Sequence, residues 1–120
     1  MARCDEGYRC QVCGADVEDI TVSDLYLRYV IGELDPEVLH TTPERHVRCN
    51  PALAQFIVAA QFPPLFAEGA FDKRQLDATF VHEREALVTR GWQRLQELMT
   101  MNEVSMLEYP LPEVRERIRA

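Results

Sequence analysis

The sequence predicts a mainly α (or α+β) fold, formed by a single domain over residues 1–120. A chain of 120 residues with 47% apolar side chains is typical of one globular domain with a real core. Residues 77–101 repeat apolar side chains on one helical face, which predicts one long helix near the C-terminus. We expect residues 1–7 and 110–120 to form loose ends.

The clearest chemical signal is a set of four potential metal ligands in two pairs. Cys10 and Cys13 are separated by two residues, and so are His46 and Cys49. Three thiolates and one imidazole suit tetrahedral zinc, and the tight knuckle of the first pair can use Gly14 for a positive φ. The sequence therefore predicts a structural Zn²⁺ bound by these four side chains, in a knuckle packed on helices.

The motif resembles a treble-clef zinc module: a CxxCG knuckle, an intervening segment, and a ligand pair at the start of a helix. The resemblance covers roughly residues 8–60 and is to an architecture rather than to a named family. It implies a hairpin between the pairs, although the 32 residues of segment 14–45 exceed a typical small finger. Treble clefs serve nucleic-acid binding, protein binding and catalysis alike, so the resemblance selects no function.

The remaining cysteine and histidine residues leave alternatives open. Cys4 is a leftover thiol, either a free surface cysteine or a substitute ligand. His40 could replace His46, but it lacks the two-residue spacing to Cys49. A CxxC pair could also be a redox pair, which would need a βαβ context absent from this sequence, and a free cysteine is often simply a small buried apolar residue.

The first apolar segment, residues 25–31, fits two kinds of secondary structure. Ser23 and Asp24 resemble a helix N-cap and first turn, and apolar residues repeat at i and i+4 up to Gly32. Leu25 begins an alternating pattern of strand-forming residues, which favours a strand. We predict a helix, whereas the treble-clef resemblance would favour strands.

The middle of the chain contains two helix-start signals. Thr-Pro at 42–43 predicts a short helical turn over 43–49, which would carry the second ligand pair. Asn-Pro at 50–51 repeats the signal and predicts a fresh helix over 51–60 with one apolar stripe. Residues 61–72 contain two prolines, so we expect a loop or an irregular strand that packs on the core.

The long helix over 77–101 starts with Asp77 as a possible cap. Its predicted core face comprises Phe80, Val81, Leu87, Val88, Trp92, Leu95, Leu98 and Met99. One end of this apolar stripe could pair with a second copy of the chain. His82 begins an HExxH-like metalloprotease motif, but Ala86 stands where the second histidine is needed, so we expect His82 to face solvent.

Charge and hydropathy limit the partners. The net charge is −7, and residues 1–40 carry three arginines against nine acidic residues, so the surface near the first cysteine pair should repel phosphate backbones. No apolar stretch approaches the ~20 residues of a membrane span, and no signal peptide is visible. The cysteine pattern favours metal binding in a reducing cytoplasm over disulfides.

Three functions remain in view. The sequence favours a small cytoplasmic zinc-binding protein whose structural Cys₃His site supports a protein-interaction or regulatory module, with another protein or a second copy as partner. The alternative is a zinc- or thiol-dependent enzyme, which would need an open coordination position and a partner base; we expect neither, and assign no catalytic residue. A nucleic-acid-binding zinc finger using Arg28, Arg45 and Arg48 is disfavoured by the acidic surroundings.

Overall fold

The computed structural model describes the backbone of residues 8–119 and the side chains of residues 9–117. This part of the chain is mainly helical, as predicted, with one short antiparallel ribbon at its start. The strands and helices, in chain order, are β1 (Tyr8–Arg9), β2 (Asp16–Val17), α1 (Asp24–Val30), α2 (Pro51–Ala54), α3 (Ala78–Leu98) and α4 (Pro112–Arg119).

Short 3₁₀ turns connect these elements and leave most of the connections irregular. Two of them lie near the predicted metal ligands: Ile20–Val22 follows the first pair, and Val47–Cys49 contains the last of the four. The others are Pro36–Val38, Gly69–Phe71, Lys73–Gln75 and Met106–Glu108. No helix in the range 8–119 combines the length and the apolar character needed to cross a bilayer.

Helix α1 is the most deeply buried element. Every residue of α1 except Arg28 is buried, and Leu27, Tyr29 and Val30 are fully enclosed. The Ser23 hydroxyl accepts a hydrogen bond from the Tyr26 backbone N–H and caps the helix. The prediction of a helix in residues 25–31 is therefore confirmed. Apolar side chains on all faces of this helix are explained by its burial on all sides.

Helix α3 packs across α1 at Gly91. A Cβ built on Gly91 would overlap Cγ2 of Ile31 and come within 3.2 Å of Leu27 Cδ1, so this glycine sets how closely the two helices approach. The long helix was predicted correctly, and its buried residues are Val88, Gly91, Trp92, Leu95 and Leu98. Phe80 and Met99 were predicted in the core but are half exposed, because the two ends of α3 extend past the elements that cover its middle.

The second predicted helix is much shorter than expected. The prediction of a helix over 51–60 was wrong, since α2 ends at Ala54. The next residue, Gln55, is buried and uses its side chain to bind the backbone of Ala67, Phe71 and Lys73. These tertiary hydrogen bonds fasten the following loop and replace the helical pattern that the sequence periodicity suggested.

The final segment is more ordered than predicted. Residues 110–120 were expected to form a loose end, but Pro110, Leu111 and Val114 are buried and α4 is regular up to Arg119. The Leu111 N–H donates to the carbonyl oxygen of Val30 at 3.1 Å, which satisfies a carbonyl at the C-terminal end of α1. The predicted loose end at residues 1–7 lies outside the described residues.

Candidate metal centre

The first ligand pair lies in the connection between the two strands. β1 and β2 pair antiparallel, and the intervening residues 10–15 form a tight knuckle. The Cys10 N–H donates to Ala15 O at 2.8 Å, and the Gly14 N–H donates to Cys10 O at 2.9 Å. Gly14 has a φ of +80°, as the spacing predicted, because the chain must reverse immediately after Cys13.

The second ligand pair brackets the 3₁₀ turn Val47–Cys49. His46 is extended and serves as its N-cap, so the predicted helical turn over 43–49 was wrong for its first part. The chain before the turn is held instead by an isolated bridge between Ser23 and His46 and by burial of Glu44. The short turn then places the His46 imidazole and the Cys49 thiol on the same side.

The structure brings all four predicted ligands together. One ligand atom from each of Cys10, Cys13, His46 and Cys49 lies within 4.8 Å of the others. The distance from Cys13 Sγ to His46 Nδ1 is 3.3 Å, and the distance from Cys49 Sγ to the same nitrogen is 3.8 Å. Zinc bonds of about 2.0–2.3 Å arranged tetrahedrally give ligand separations of about 3.3–3.8 Å. The cluster could therefore hold a metal ion.

A backbone carbonyl sets the orientation of the His46 ring. The Nε2 atom lies 2.9 Å from the carbonyl oxygen of Asp16 on β2, while Nδ1 faces the thiols. A carbonyl oxygen can only accept, so Nε2 is the donor in this hydrogen bond and Nδ1 is the ring nitrogen that faces the cluster. This is the supporting hydrogen bond that metal-ligating histidines usually make.

Backbone N–H groups stabilise the thiolate form of Cys10. Burial alone raises the pKa of this thiol, but N–H donors of Cys13, His46 and Val12 point at its sulfur, together with a contact from Cys49. Their distances to Sγ are 3.5, 3.3 and 3.4 Å. The donors outweigh burial and lower the pKa to about 6, so the fold favours the thiolate form of Cys10, the form that a metal ion would bind.

Cys49 shows the opposite behaviour. Burial raises the pKa of its thiol, and hydrogen bonds and negative charge from Cys10 and Cys13 raise it further, to about 11. Negative charge on neighbouring sulfurs at this spacing therefore keeps the proton on Cys49. A metal ion would offset that negative charge, and its binding would release the Cys49 proton.

A buried carboxylate holds both ends of the second ligand segment. Asp24 is fully buried, and its Oδ2 accepts from Arg45 Nε at 2.8 Å while its Oδ1 accepts from Asn50 Nδ2 at 2.8 Å. Oδ2 also accepts, at 2.9 Å, from the arginine one turn further along α1. Because Arg45 precedes His46 and Asn50 follows Cys49, Asp24 ties helix α1 to the chain on either side of both ligands.

A second buried acid links the two ligand pairs. Glu44 Oε1 accepts from the Ser23 hydroxyl at 2.8 Å and from the Arg45 N–H at 3.1 Å, and Glu44 O accepts from the Gln11 N–H at 2.9 Å. Burial raises the pKa of this carboxyl against the lowering effect of those hydrogen bonds. Within residues 8–119, Glu44 Oε2 has no hydrogen-bond partner.

Sequence reasoning missed these supporting residues. Asp24 and Glu44 were predicted only as first-turn residues and Asn50 only as part of a helix start, yet Asn50 makes no capping hydrogen bond. The only available signal was that polar residues directly adjoin His46 and Cys49, which does not distinguish a buried network from an exposed loop. The packing of α1 over the ligand segment buries these polar residues. That packing is a long-range contact, so no local sequence pattern predicts it.

The other candidate residues lie away from the cluster. His40 and His82 are both exposed, in agreement with the solvent-facing position expected for His82. Neither belongs to the metal-ligand group found among the described residues. Cys4, the leftover thiol, lies outside the described residues, so its role as a free cysteine or substitute ligand stays a prediction.

Comparisons with protein-family models, with curated proteins and with solved structures gave no match. The class of the protein is therefore described from its own fold and its own cluster of side chains. It is a mainly helical protein in which a Cys₃His cluster, built by a strand ribbon and a 3₁₀ turn, could hold a metal ion.

Proposed function

We propose that this protein is a small zinc-stabilised module that binds another protein or acts as a regulatory module. Zn²⁺ would be bound by Cys10, Cys13, His46 and Cys49, and its role would be structural. The observation that carries the proposal is the convergence of these four ligand atoms within 4.8 Å from two segments far apart in sequence. The donor set of three sulfurs and one imidazole nitrogen favours zinc among the common metals.

A structural role follows from the number and type of ligands. Four protein ligands fill a tetrahedral site and leave no position for substrate or water, and thiolates weaken zinc as a Lewis acid. The Cys10 thiolate is 2% exposed, so a substrate would not reach it as a nucleophile. The two-residue strands beside the knuckle are too short to be stable by themselves, so a bound metal would stabilise them.

Part of the arrangement also supports the treble-clef resemblance. The first pair lies in a knuckle between two strands, and the second lies just before a short helix, α2. Helix α1 occupies the segment between the pairs, where the resemblance implied a hairpin. We therefore propose a treble-clef-like module with a helical insert. The proposal includes a cytoplasmic location, because a reducing compartment keeps the thiols free to bind metal.

Nucleic-acid binding receives less support than protein binding. Two of its three candidate arginines, Arg28 and Arg45, share the buried carboxylate of Asp24, which offsets one of their two positive charges and holds both side chains. The two positive charges that remain among the three arginines cannot supply the several phosphate contacts that such binding needs. We expect no shift of labelled single- or double-stranded DNA or RNA at low salt; salt-sensitive binding would favour the nucleic-acid hypothesis.

Elemental analysis of protein produced without added zinc tests the proposal. We expect about one zinc per chain, and a sharp fall in melting temperature when a chelator removes it. Cys13→Ser should reproduce both effects, because it removes one thiolate from the cluster. Cys4→Ser is the matched control and should retain the zinc and the melting temperature.

Three outcomes would contradict the proposal. Purified protein without metal, and with a melting temperature insensitive to chelator, would show that zinc does not hold the fold. Equal damage from Cys4→Ser would overturn the ligand assignment. A water in place of His46 or Cys49 in an experimental structure of the zinc-bound protein would favour the enzyme hypothesis instead.

A further inference from the structure

A groove runs along the outer side of the second ligand pair. It has a volume of about 490 Å³ and lies between the 3₁₀ turn Ile20–Val22, the ligand segment, the loop after α2, and α3. His46 and Cys49 form part of one wall. A cavity of this size falls in the range of sites that enclose a drug-sized ligand or a few side chains.

The floor of the groove is apolar and firmly packed. Val47, Phe62 and Trp92 line it, and each is less than one-tenth exposed. The Phe62 and Trp92 rings meet edge to face, with centroids 5.8 Å apart and planes at 69°. Because these side chains belong to the core, the floor is formed before any ligand arrives, and it can receive a large apolar side chain at little ordering cost.

The rim of the groove carries one cation. The Arg48 guanidinium lies 4.9 Å above the Phe62 ring and donates through Nη1 to the carbonyl oxygen of Pro63 at 3.0 Å. Within residues 8–119, no carboxylate lies within ion-pair distance of Arg48, and no acidic residue lines the groove. This local absence of acid is notable because the whole chain has a net charge of −7. Arg48 on the rim can therefore pair with a negative charge, beside an apolar floor that can receive an apolar side chain.

We propose that this groove binds a segment of a partner protein in which a large apolar side chain lies beside an aspartate or glutamate. The apolar side chain packs on Phe62 and Trp92, and the carboxylate pairs with Arg48. This inference rests on the proposed function as a protein-interaction module and assigns its binding surface. Because His46 and Cys49 form one wall, the metal centre would hold that wall in place.

Selection from a random heptapeptide library displayed on phage, using the immobilised full-length zinc-loaded protein, tests the proposal. We expect enriched peptides to carry a large apolar residue within two positions of an acidic one. One enriched peptide is then synthesised with a fluorescent label, and its Kd is measured by anisotropy. Arg48→Gln should weaken its binding about tenfold or more, because a charged hydrogen-bond partner is lost.

Arg74→Gln provides a matched control. The Arg74 guanidinium also lies over a phenylalanine ring, 4.0 Å from the centroid of Phe66, but outside the groove. Its loss should leave the Kd within about twofold, the effect of a remote surface charge. Val22 lines the groove and is 36% exposed, so a charge placed there is tolerated. Val22→Glu should weaken binding of the acidic peptide, whereas Val22→Lys should not.

Several results would overturn the inference. These are the absence of any enriched sequence, enrichment of peptides without acidic residues, or equal Kd values for the Arg48→Gln variant and the unaltered protein. Concentration-dependent dimerisation that Arg48→Gln abolishes would show that a second copy, not a partner segment, fills the groove. Zinc content measured on the same preparation separates the two proposals: full zinc with no peptide binding rejects the groove assignment and leaves the structural zinc standing.

Discussion

The buried charge of Asp24 connects helix α1 to the ligand segment. We predict that Asp24→Asn lowers the free energy of unfolding by at most about 3–5 kcal/mol, the cost of breaking a buried ion pair. The arginine side chains of this network are 21% and 26% exposed, so solvent reduces that cost. Urea unfolding of the zinc-bound protein measures it. The same variant should transfer zinc to a competing chelator faster, because the chain flanking His46 and Cys49 is no longer fixed.

Asp72→Asn is the matched control for Asp24→Asn. Asp72 is also a buried aspartate paired with an arginine, Arg74, but it caps the 3₁₀ turn Lys73–Gln75, outside the metal centre. Its loss should change the unfolding free energy modestly, since the Arg74 side chain is 64% exposed, and should leave the rate of zinc transfer unchanged. Equal transfer rates for all three proteins would reject a positioning role for Asp24.

Trp92 contributes to stability through its packed indole. We predict that Trp92→Ala destabilises the protein by about 3–5 kcal/mol, the usual cost of truncating a buried aromatic residue. The indole is 9% exposed and packs against Phe62, which supports the core position predicted from sequence. Denaturant unfolding gives the energy. A native emission spectrum of water-exposed indole would contradict this placement.

Local spacing predicted the four clustered residues but not the residues that support them. Each of the two spacings, Cys10 to Cys13 and His46 to Cys49, predicts a pair of metal ligands because it places two donor side chains on one turn. Such a spacing involves only a few consecutive residues, so it can be recognised in the sequence. The roles of Asp24 and Glu44 depend on burial by segments more than twenty residues away. Asx and acidic residues are ordinarily found in turns and first helical turns, so their types alone indicate exposed capping residues.

The crossing of α1 and α3 gives a prediction opposite in sign to helix propensity. Alanine normally stabilises a helix interior over glycine by about 1 kcal/mol. At Gly91, however, the added methyl would overlap Ile31, so we predict that Gly91→Ala is destabilising by about 1–3 kcal/mol. Gln93→Ala, on the exposed face of α3, should be neutral or slightly stabilising. Thermal unfolding of both variants measures the difference, and a stabilising Gly91→Ala would show that the helices are further apart.

The pairing of α3 with α4 should appear as a dependence of stability on pH. Arg90 donates to the Glu113 carboxylate and lowers its pKa from 4.5 to about 2. A lowered folded-state pKa means that this contribution is present above about pH 4.5 and is lost as the pH falls toward 2. Both side chains are about half exposed, so the contribution is about 1 kcal/mol or less.

Glu113→Gln isolates this contribution from metal loss in acid. Release of the proposed zinc at low pH would affect the unaltered protein and the variant equally, so their difference in unfolding free energy reports the ion pair. We expect that difference to be constant above about pH 5 and to shrink as the pH falls through 4.5 toward 2. A difference that does not change with pH would contradict the pairing.

Elements with strong local signals were predicted best. The cap at Ser23 and the apolar repeat of α3 survive in the structure because packing reinforces them. The predicted helix over 51–60 failed because side-chain hydrogen bonds from Gln55 compete with its continuation. The order of the final segment was underestimated. Leu111 is buried in the core, and its N–H donates to a carbonyl oxygen of α1, which is distant in sequence.

At the scale of the whole molecule, the metal and the helical core should stabilise different parts. Core residues such as Leu27, Val88 and Leu95 are buried by helix packing. None of them belongs to the Cys₃His cluster. The ribbon over 8–17 has only two-residue strands. We predict that after chelation hydrogen exchange first accelerates in residues 8–17 and 46–49, and that α1 and α3 lose protection later. Simultaneous loss of protection everywhere would contradict this division.

The fold class could be predicted from composition and periodicity, whereas the arrangement of the helices could not. A mainly helical domain with one long helix follows from the 3.6-residue repeat, which local physics determines. The crossing at Gly91 and the placement of α1 within the metal-ligand insert depend on long-range packing. The sequence showed Gly91 only as a residue unfavourable in a helix, and its role as the contact point becomes evident once Ile31 is placed against it.

The hydrogen bond from the Leu111 N–H to Val30 has a consequence for synthesis on the ribosome. Translation runs toward the C-terminal side, so α1 is made long before the residue that satisfies its terminal carbonyl. The four clustered residues, Cys10, Cys13, His46 and Cys49, also precede α3. With zinc as the proposed metal, a nascent chain would be able to bind it and close the loop around α1 while the partner helix is still being translated. The metal would protect an unfinished core during that interval, and the last turn of α1 would be completed only after translation passes Leu111.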